Sequence, residues 1–252
     1  MKRASVIRAY LDEAAISAHL TSNYWRVRVL PEVTSTQDIL KTELVSNGDC
    51  VVAEYQSAGR GRLDRKFESV PNVALLFSFY IEPERAGEWG WIPLIAGTAV
   101  ARTLNELTDT HSFTTKWPND VLAASGKVCG ILCEKYGDGI IVGIGINVST
   151  EESELPVDTA SSVFIETGIE LDRNELLPKL LHEFQNLFQR WNQGEDLRST
   201  YRALSGTIGL DVSVTLPHSP PIEGRAIEVD GEGRLKLESG DLISVGDVVH
   251  LR

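Results

Sequence analysis

Two runs, Val73 to Ile81 and Gly139 to Val148, contain no charged residue and constrain the fold more than any other feature. They are nine and ten residues long, against the roughly 20 that a membrane-spanning helix requires. Both are rich in β-branched or aromatic residues and bounded by Gly, Asn or Pro, the pattern of buried strands. Cys50 to Glu54, Phe113 to Lys116 and Val128 to Glu134 have the same texture and are predicted to join them in one sheet, with Arg26 to Leu30 strand-like as well. Such a sheet needs a cover, and two helical stripes supply it. Ile92, Ala96, Val100, Leu104 and Leu107 form the first; Leu176, Leu177, Leu180, Leu181, Phe184, Leu187, Phe188 and Trp191 form the second. For the second helix Asn174 is the predicted N-cap, with Pro178 in the tolerant first turn and Gly194 beyond the last apolar residue.

The two ends of the chain read differently. Ile7, Leu11, Ala14, Ala15, Ala18 and Leu20 give the first 28 residues a single helical pattern, too little for a helix-turn-helix module. From Thr207 the texture changes to Val212 to Leu216, Glu223 to Val229, Arg234 to Leu237, Leu242 to Val245 and Val248 to Leu251, short strands split by Gly or Pro. The predicted organisation is residues 1–204, the first 28 of them an N-terminal helical extension, followed by a small barrel over 205–252.

Charge narrows the function. Lys plus Arg number 24 and Asp plus Glu 36, a net charge of −12, the wrong sign for a protein whose main partner is a nucleic-acid backbone. The basic start Met1-Lys2-Arg3 is followed by Asp12 and Glu13 where a signal peptide needs an apolar core, so no secretion is expected. The three cysteines, Cys50, Cys129 and Cys133, are predicted reduced and buried in a cytoplasmic protein.

Against that acidic background Gly59 to Lys66 holds four basic residues and one acidic one. Gly59 and Gly61 allow close backbone approach, and Arg62 and Arg65 can fork onto phosphate oxygens. The same string also reads as a solvated basic loop or an RNA-binding Arg-Gly fragment. A second island is Lys116-Trp117-Pro118-Asn119-Asp120, which by itself reads as a tight turn. It is followed by Gly126-Lys127-Val128-Cys129-Gly130-Ile131-Leu132, where a cation at the mouth of an apolar strand lacks a sequence-adjacent counter-ion. The third piece, Gly143-Ile144-Gly145-Ile146-Asn147, marks a close approach to the sheet.

These pieces in this order, together with Ser35-Thr36-Gln37, resemble the biotin protein ligases from about Val33 to Arg252, including Leu171-Asp172-Arg173-Asn174 and the closing Gly246 to Arg252. The short N-terminal region resembles the monofunctional members, which lack a DNA-binding domain. The resemblance implies an α+β fold: a mixed β-sheet catalytic domain covered by helices, plus a small C-terminal SH3-like β-barrel. It implies ATP-dependent activation of biotin to biotinyl-5'-AMP, then transfer to a lysine of the biotin carboxyl carrier domain of an acetyl-CoA or related acyl-CoA carboxylase.

In the family's pattern Lys127, Arg62, Arg65 and Arg252 supply cations for the reacting phosphate. Ser35, Thr36 and Gln56, with the backbone at Gly59 and Arg60, bind the ureido head of biotin, Gly130 and Gly143 leave room beside its tail, and Lys127 counts among the biotin-binding residues as well. Lys66 belongs to the adenylate loop, Phe67 and Asn147 hold the adenine, and Asp120 is a candidate base or orienting group for the incoming lysine. Mg²⁺ accompanies ATP, carried by phosphates and water rather than by a dedicated metal site. Two residues depart from the pattern, Asp64 where the family has Gly and Phe67 where it has Trp; a carboxylate beside Arg62 and Arg65 weakens the phosphate field. The expected state is a monomer or weak homodimer with no nucleic-acid or membrane partner. Lipoate-protein ligases, which share the core and the adenylate chemistry, and a non-catalytic biotin- or nucleotide-sensing regulator are the alternatives.

Overall fold

The apolar runs become the centre of a seven-stranded sheet. The structure is a computed structural model that describes residues 8–42, 44–62, 67–85, 87–216 and 219–251. Its strands are β1 (Arg26–Val33), β2 (Asp49–Gln56), β3 (Ala74–Ile81), β4 (Thr114–Lys116), β5 (Asp120–Leu122), β6 (Lys127–Tyr136) and β7 (Gly139–Asn147), in the order β1-β2-β3-β7-β6-β5-β4. The β1–β2 pair is parallel and every other pair antiparallel, so the sheet is mixed as expected.

Alternation along β3 and β7 divides the sheet into two faces. Leu75, Phe77, Phe79, Ile81, Ile140, Val142, Ile144 and Ile146 join the main core, against which α3 (Trp91–Thr108) and α5 (Arg173–Asn192) pack. The opposite face holds a smaller cluster of Leu40, Val51, Tyr80 and Ile141 under α2 (Thr36–Lys41). Gly143, Gly145 and Ser78 share its parity, which leaves space there for a pocket.

Beyond α4 (Val163–Thr167) and α6 (Arg198–Arg202), a second sheet comprises β8 (Asp211–Thr215), β9 (Ile222–Val229), β10 (Leu235–Leu237), β11 (Leu242–Ile243) and β12 (Asp247–His250). It is antiparallel, with order β11-β10-β9-β8-β12. Trp91 Nε1 donates to Asp230 O (3.2 Å) and Gly231 O (3.0 Å), and Trp117 Nε1 to Gly233 O (3.0 Å), so two buried indoles fasten it to the first sheet.

The N-terminal region differs from expectation. Helix α1 spans only Glu13–His19, capped by Asp12, whose carboxylate accepts from Ala15 N, so the predicted helical extension shrinks to seven residues, while the strand-like Arg26 to Leu30 does become part of β1. Residues 8–12 are drawn off as a strap over a buried ion pair, Arg173 Nη1 to Glu54 Oε2 at 2.7 Å. Arg173 Nη2 also donates to Ala9 O at 2.8 Å and Leu11 N donates to Glu54 Oε1, bonds the pair needs because a buried charge must be fully partnered. Ile7 lies outside the described residues.

Two local expectations at α5 are corrected for the same reason. Asp172 is the N-cap, accepting from Asn174 N at 2.8 Å. The Asn174 side chain instead accepts from Asp12 N (2.8 Å) and donates to Tyr10 O (3.0 Å). With the helix beginning at Arg173, Pro178 falls in its second turn. Cys50 and Cys129 are buried and free, but Cys133 is only half-buried because β6 passes toward the sheet edge there. Burial pushes the Cys50 and Cys129 thiols well up, and that of Cys133 up to about 12.

Candidate active site

The pocket opens on the α2 face of the first sheet. Ser35, Thr36 and Gln37 are all buried at the start of α2, and their polar atoms therefore need partners. Thr36 N and Oγ1 both donate to Gln56 Oε1, at 2.8 and 3.1 Å, while Thr36 Oγ1 lies 2.7 Å from Ser78 Oγ. Gln37 Nε2 donates to Leu132 O on β6 at 2.8 Å. A Cβ at Gly143 would come within 2.9 Å of the Gln37 side chain, so glycine there lets the amide cross the sheet. These groups form a polar floor bonded largely to itself.

Cations form the rim. Arg60 pairs with Asp38 on α2 (2.8 Å) and Glu134 on β6 (2.6 Å), and Lys41 shares Glu134 at 2.8 Å. Burial acts against the Arg60 charge, but its two carboxylates outweigh it and raise the pKa. Arg62 Nη1 donates to Asn119 Oδ1 (3.1 Å) and Gly246 O (3.3 Å), tying the basic loop to the β4–β5 turn and to the second sheet. Lys127 Nζ lies 2.7 Å from Asp120 Oδ1. That contact is an ion pair without hydrogen-bond alignment, since the same oxygen has no directed donor. A Cβ on Gly130 would stand 3.0 Å from Lys127 Nζ, so the ammonium lies directly over this glycine.

The loop between them is closed at its base. Phe67 N donates to Gly59 O at 3.0 Å, and a Cβ on Gly59 would come 2.2 Å from Phe67 O, so Gly59 permits a backbone approach no other residue allows. The Phe67 ring lies on Gly145, where a Cβ would meet it at 2.7 Å.

Residues 29–151 match the Biotin/lipoate A/B protein ligase family. The chain is 35% identical to a biotin--[acetyl-CoA-carboxylase] ligase from Mycobacterium tuberculosis, over 98% of both chains. The chain belongs to the biotin protein ligases. It is also 33% identical to the bifunctional ligase/repressor BirA of Escherichia coli, over 90% of this chain and 74% of that one. Among solved structures, the biotin protein ligase from Aquifex aeolicus in complex with biotin and ATP superposes with a TM-score of 0.80 at 33% identity, covering 90% of this chain and 98% of that one.

In this biotin protein ligase the pocket brings together Ser35, Thr36, Gln56, Arg60, Arg62, Phe67, Asp120, Lys127, Gly130 and Gly143 from the sequence-derived set. Gly59 stands behind the lining as the loop's base. Asn147 is buried and donates to Ser161 O at 2.9 Å, away from the lining. Arg65, Lys66 and Arg252, like Asp64, lie outside the described residues. The pocket adds Gln37, Ser78, Asn119, Leu132, Gly145 and Asp247. Gln37, Asn119, Leu132, Gly145 and Asp247 stood inside strings already singled out, and Ser78 inside the apolar run of β3. Nothing in the sequence brought Asp247, contributed by the second sheet, to this pocket.

Among the described residues, no helix is long and apolar enough to cross a membrane.

Proposed function

We infer that this pocket is where the ligase joins biotin to ATP and then to a lysine. One observation carries the reading: Lys127, Arg62 and the polar Thr36–Gln56–Ser78 floor converge on a single cleft. A bicyclic urea needs both donors and acceptors, and the Thr36, Gln56 and Ser78 side chains offer both. The apolar tail then runs beside Gly130 and Gly143 toward Lys127.

In the first step a biotin carboxylate oxygen attacks the α-phosphorus of ATP, forming the acyl–phosphate bond as the bond to pyrophosphate breaks. Two anions must be brought together, and Lys127 is placed to offset their repulsion and to meet the charge that develops on phosphorus. Arg62, which donates to two neutral oxygens, can transfer its donors to the adenylate phosphate. Mg²⁺ enters as the ATP complex, an ion held by phosphates and water. In the second step the carrier lysine's amine nitrogen attacks the acyl carbon, the amide forms, AMP leaves and the amine proton passes to solvent. Asp120, in contact with Lys127, serves to orient that ammonium.

A wider cleft shares Arg60, Arg62, Asn119 and Leu132 with the first and runs between the Trp117–Pro118 turn and Glu232 to Arg234. It offers the carrier lysine a path to the acyl carbon. The test is pyrophosphate–ATP exchange: labelled pyrophosphate enters ATP only when biotin is present. Exchange driven equally by lipoate, or none with biotin, would refute the reading.

A further inference from the structure

Lys127 opens β6, and its backbone is fixed from both sides. Toward β5 the register slips between Val121 and Leu122, so that Leu122 pairs with Lys127 and Val121 with Cys129. Such a bulge re-aims the side chain beside it. On its other side Lys127 makes an isolated parallel bridge to Ala160: Lys127 N donates to Thr159 O at 2.9 Å, and Ser161 N donates to Lys127 O at 2.8 Å. The segment from Thr159 to Ser161 thus acts as a strand neighbour at the one point where the aim of Lys127 is set.

That segment is held by Glu166 on α4. Glu166 Oε1 accepts from Ser161 Oγ at 2.7 Å and from Ser125 N at 3.0 Å. One oxygen therefore joins the turn leading into Lys127 to the segment running alongside it. The two are in close contact, since a Cβ on Gly126 would come 2.6 Å from Thr159 O. The helix carrying Glu166 is itself fixed at its start, because Ser162 Oγ accepts from Ile165 N (3.1 Å) and donates to Thr150 O (2.6 Å). Glu166 does not line the pocket.

We propose that Glu166 is a positioning residue for Lys127, clamping the Ser125 turn and the Ser161 segment so that the ammonium stays over Gly130. The proposal rests on the reading of Lys127 as the cation of adenylate formation. It predicts an effect on the chemical step and not on biotin binding, because the floor's side chains stand on α2, β2 and β3, and its bond to β6, at Leu132 O, lies away from the Ser125 turn and the Ser161 segment.

The experiment is a double-mutant cycle on single-turnover adenylate formation, with biotin affinity measured in parallel. Glu166→Ala should slow the step roughly tenfold at saturating substrates and leave biotin affinity within about twofold. Glu166→Gln, whose amide oxygen still accepts both bonds, should recover most of the rate. In a Lys127→Ala background Glu166→Ala should add less than about twofold. A further tenfold loss there, or a Glu166→Ala rate equal to the parent's, overturns the proposal. A normal rate for Lys127→Ala alone would instead overturn the role given to Lys127. Should Glu166→Ala fail to fold, Ser161→Ala removes one of the two bonds: a loss of roughly threefold that vanishes in the Lys127→Ala background supports the clamp, and a loss that persists refutes it.

Discussion

The floor and the rim of the pocket are built on opposite terms. On the floor, Thr36, Gln56, Gln37 and Ser78 are buried or half-buried and bonded to each other or to β6. On the rim, Arg60 and Lys127 are about two-fifths exposed and held by carboxylates, while Arg62 is held by an amide and a carbonyl. A floor of mutually satisfied neutral groups is set before a ligand arrives and gives specificity at little reorganisation. A rim of cations on replaceable partners can hand its charge to an incoming phosphate. On the function proposed above, recognition falls to the floor and chemistry to the rim, and substitutions on each should fail differently.

The largest separation is expected at Lys127. Lys127→Ala should cost roughly 3 to 4 kcal/mol of barrier, a hundredfold or more in adenylate formation, with an unchanged melting curve because the side chain is partly exposed. Quenched single-turnover assays beside thermal melts check this; an unchanged rate would make Lys127 a surface charge.

Arg62→Gly should release the intermediate rather than prevent its formation. Losing a charge-assisted grip of about 1.5 to 3 kcal/mol speeds adenylate escape roughly ten- to a hundredfold. Incubation with biotin, ATP and serum albumin reads this as biotin on the albumin. A mutant that still makes adenylate but labels albumin no more than the parent contradicts the assignment.

On the floor, Gly143→Ala should act on binding. The new methyl would meet Gln37, whose amide is tied to Leu132 O. Breaking that bond costs about 0.5 to 1.5 kcal/mol, a roughly two- to twelvefold loss of biotin affinity by calorimetry. Adenylate formation at saturating biotin should stay near the parent rate. A collapse of that rate with unchanged affinity would erase the distinction between floor and rim.

The smallest effect concerns the second sheet's support of the rim. His250 Nε2 lies 3.2 Å from Thr207 Oγ1, which accepts from Trp117 N at 3.1 Å. Burial, helped by the Lys116 charge, lowers the His250 pKa from its ordinary 6.5. The unfolded chain then binds this proton more readily than the folded one, so the contribution is fully present above pH 6.5 and is lost as pH falls through the lowered folded value. Melting temperatures from about pH 8 to about pH 5 should decline less for His250→Gln than for the parent; parallel declines would remove His250 from the account.

What the sequence revealed follows the same division. The alternation of Ile144 and Ile146 with Gly143, Gly145 and Asn147 marks both faces of β7, because period two is imposed by the backbone alone. The basic loop and Lys127 stood out because charge beside an apolar strand is locally anomalous. The floor was less visible: α2 is six residues long, too short for a periodic signal, and Gln37 acquires meaning only when Leu132 and Gly143 come opposite it. The strap over 8–12 was misread as helix because its partners, Glu54, Arg173 and Asn174, are remote in sequence and the pattern of Leu11 with the alanines fits a helix equally well. Asp247 was hidden for a related reason, since only the docking of the second sheet carries it to the rim.

The central claim is that floor and rim together place biotin, and not lipoate, which lacks the urea ring, on a carrier lysine. Mass spectrometry of a biotin carboxyl carrier domain incubated with the protein, ATP, Mg²⁺ and either biotin or lipoate tests it directly. The account predicts one biotinyl addition, on a single lysine, with biotin and none with lipoate. Addition of lipoate without biotin, or an unmodified carrier under both conditions, would contradict it.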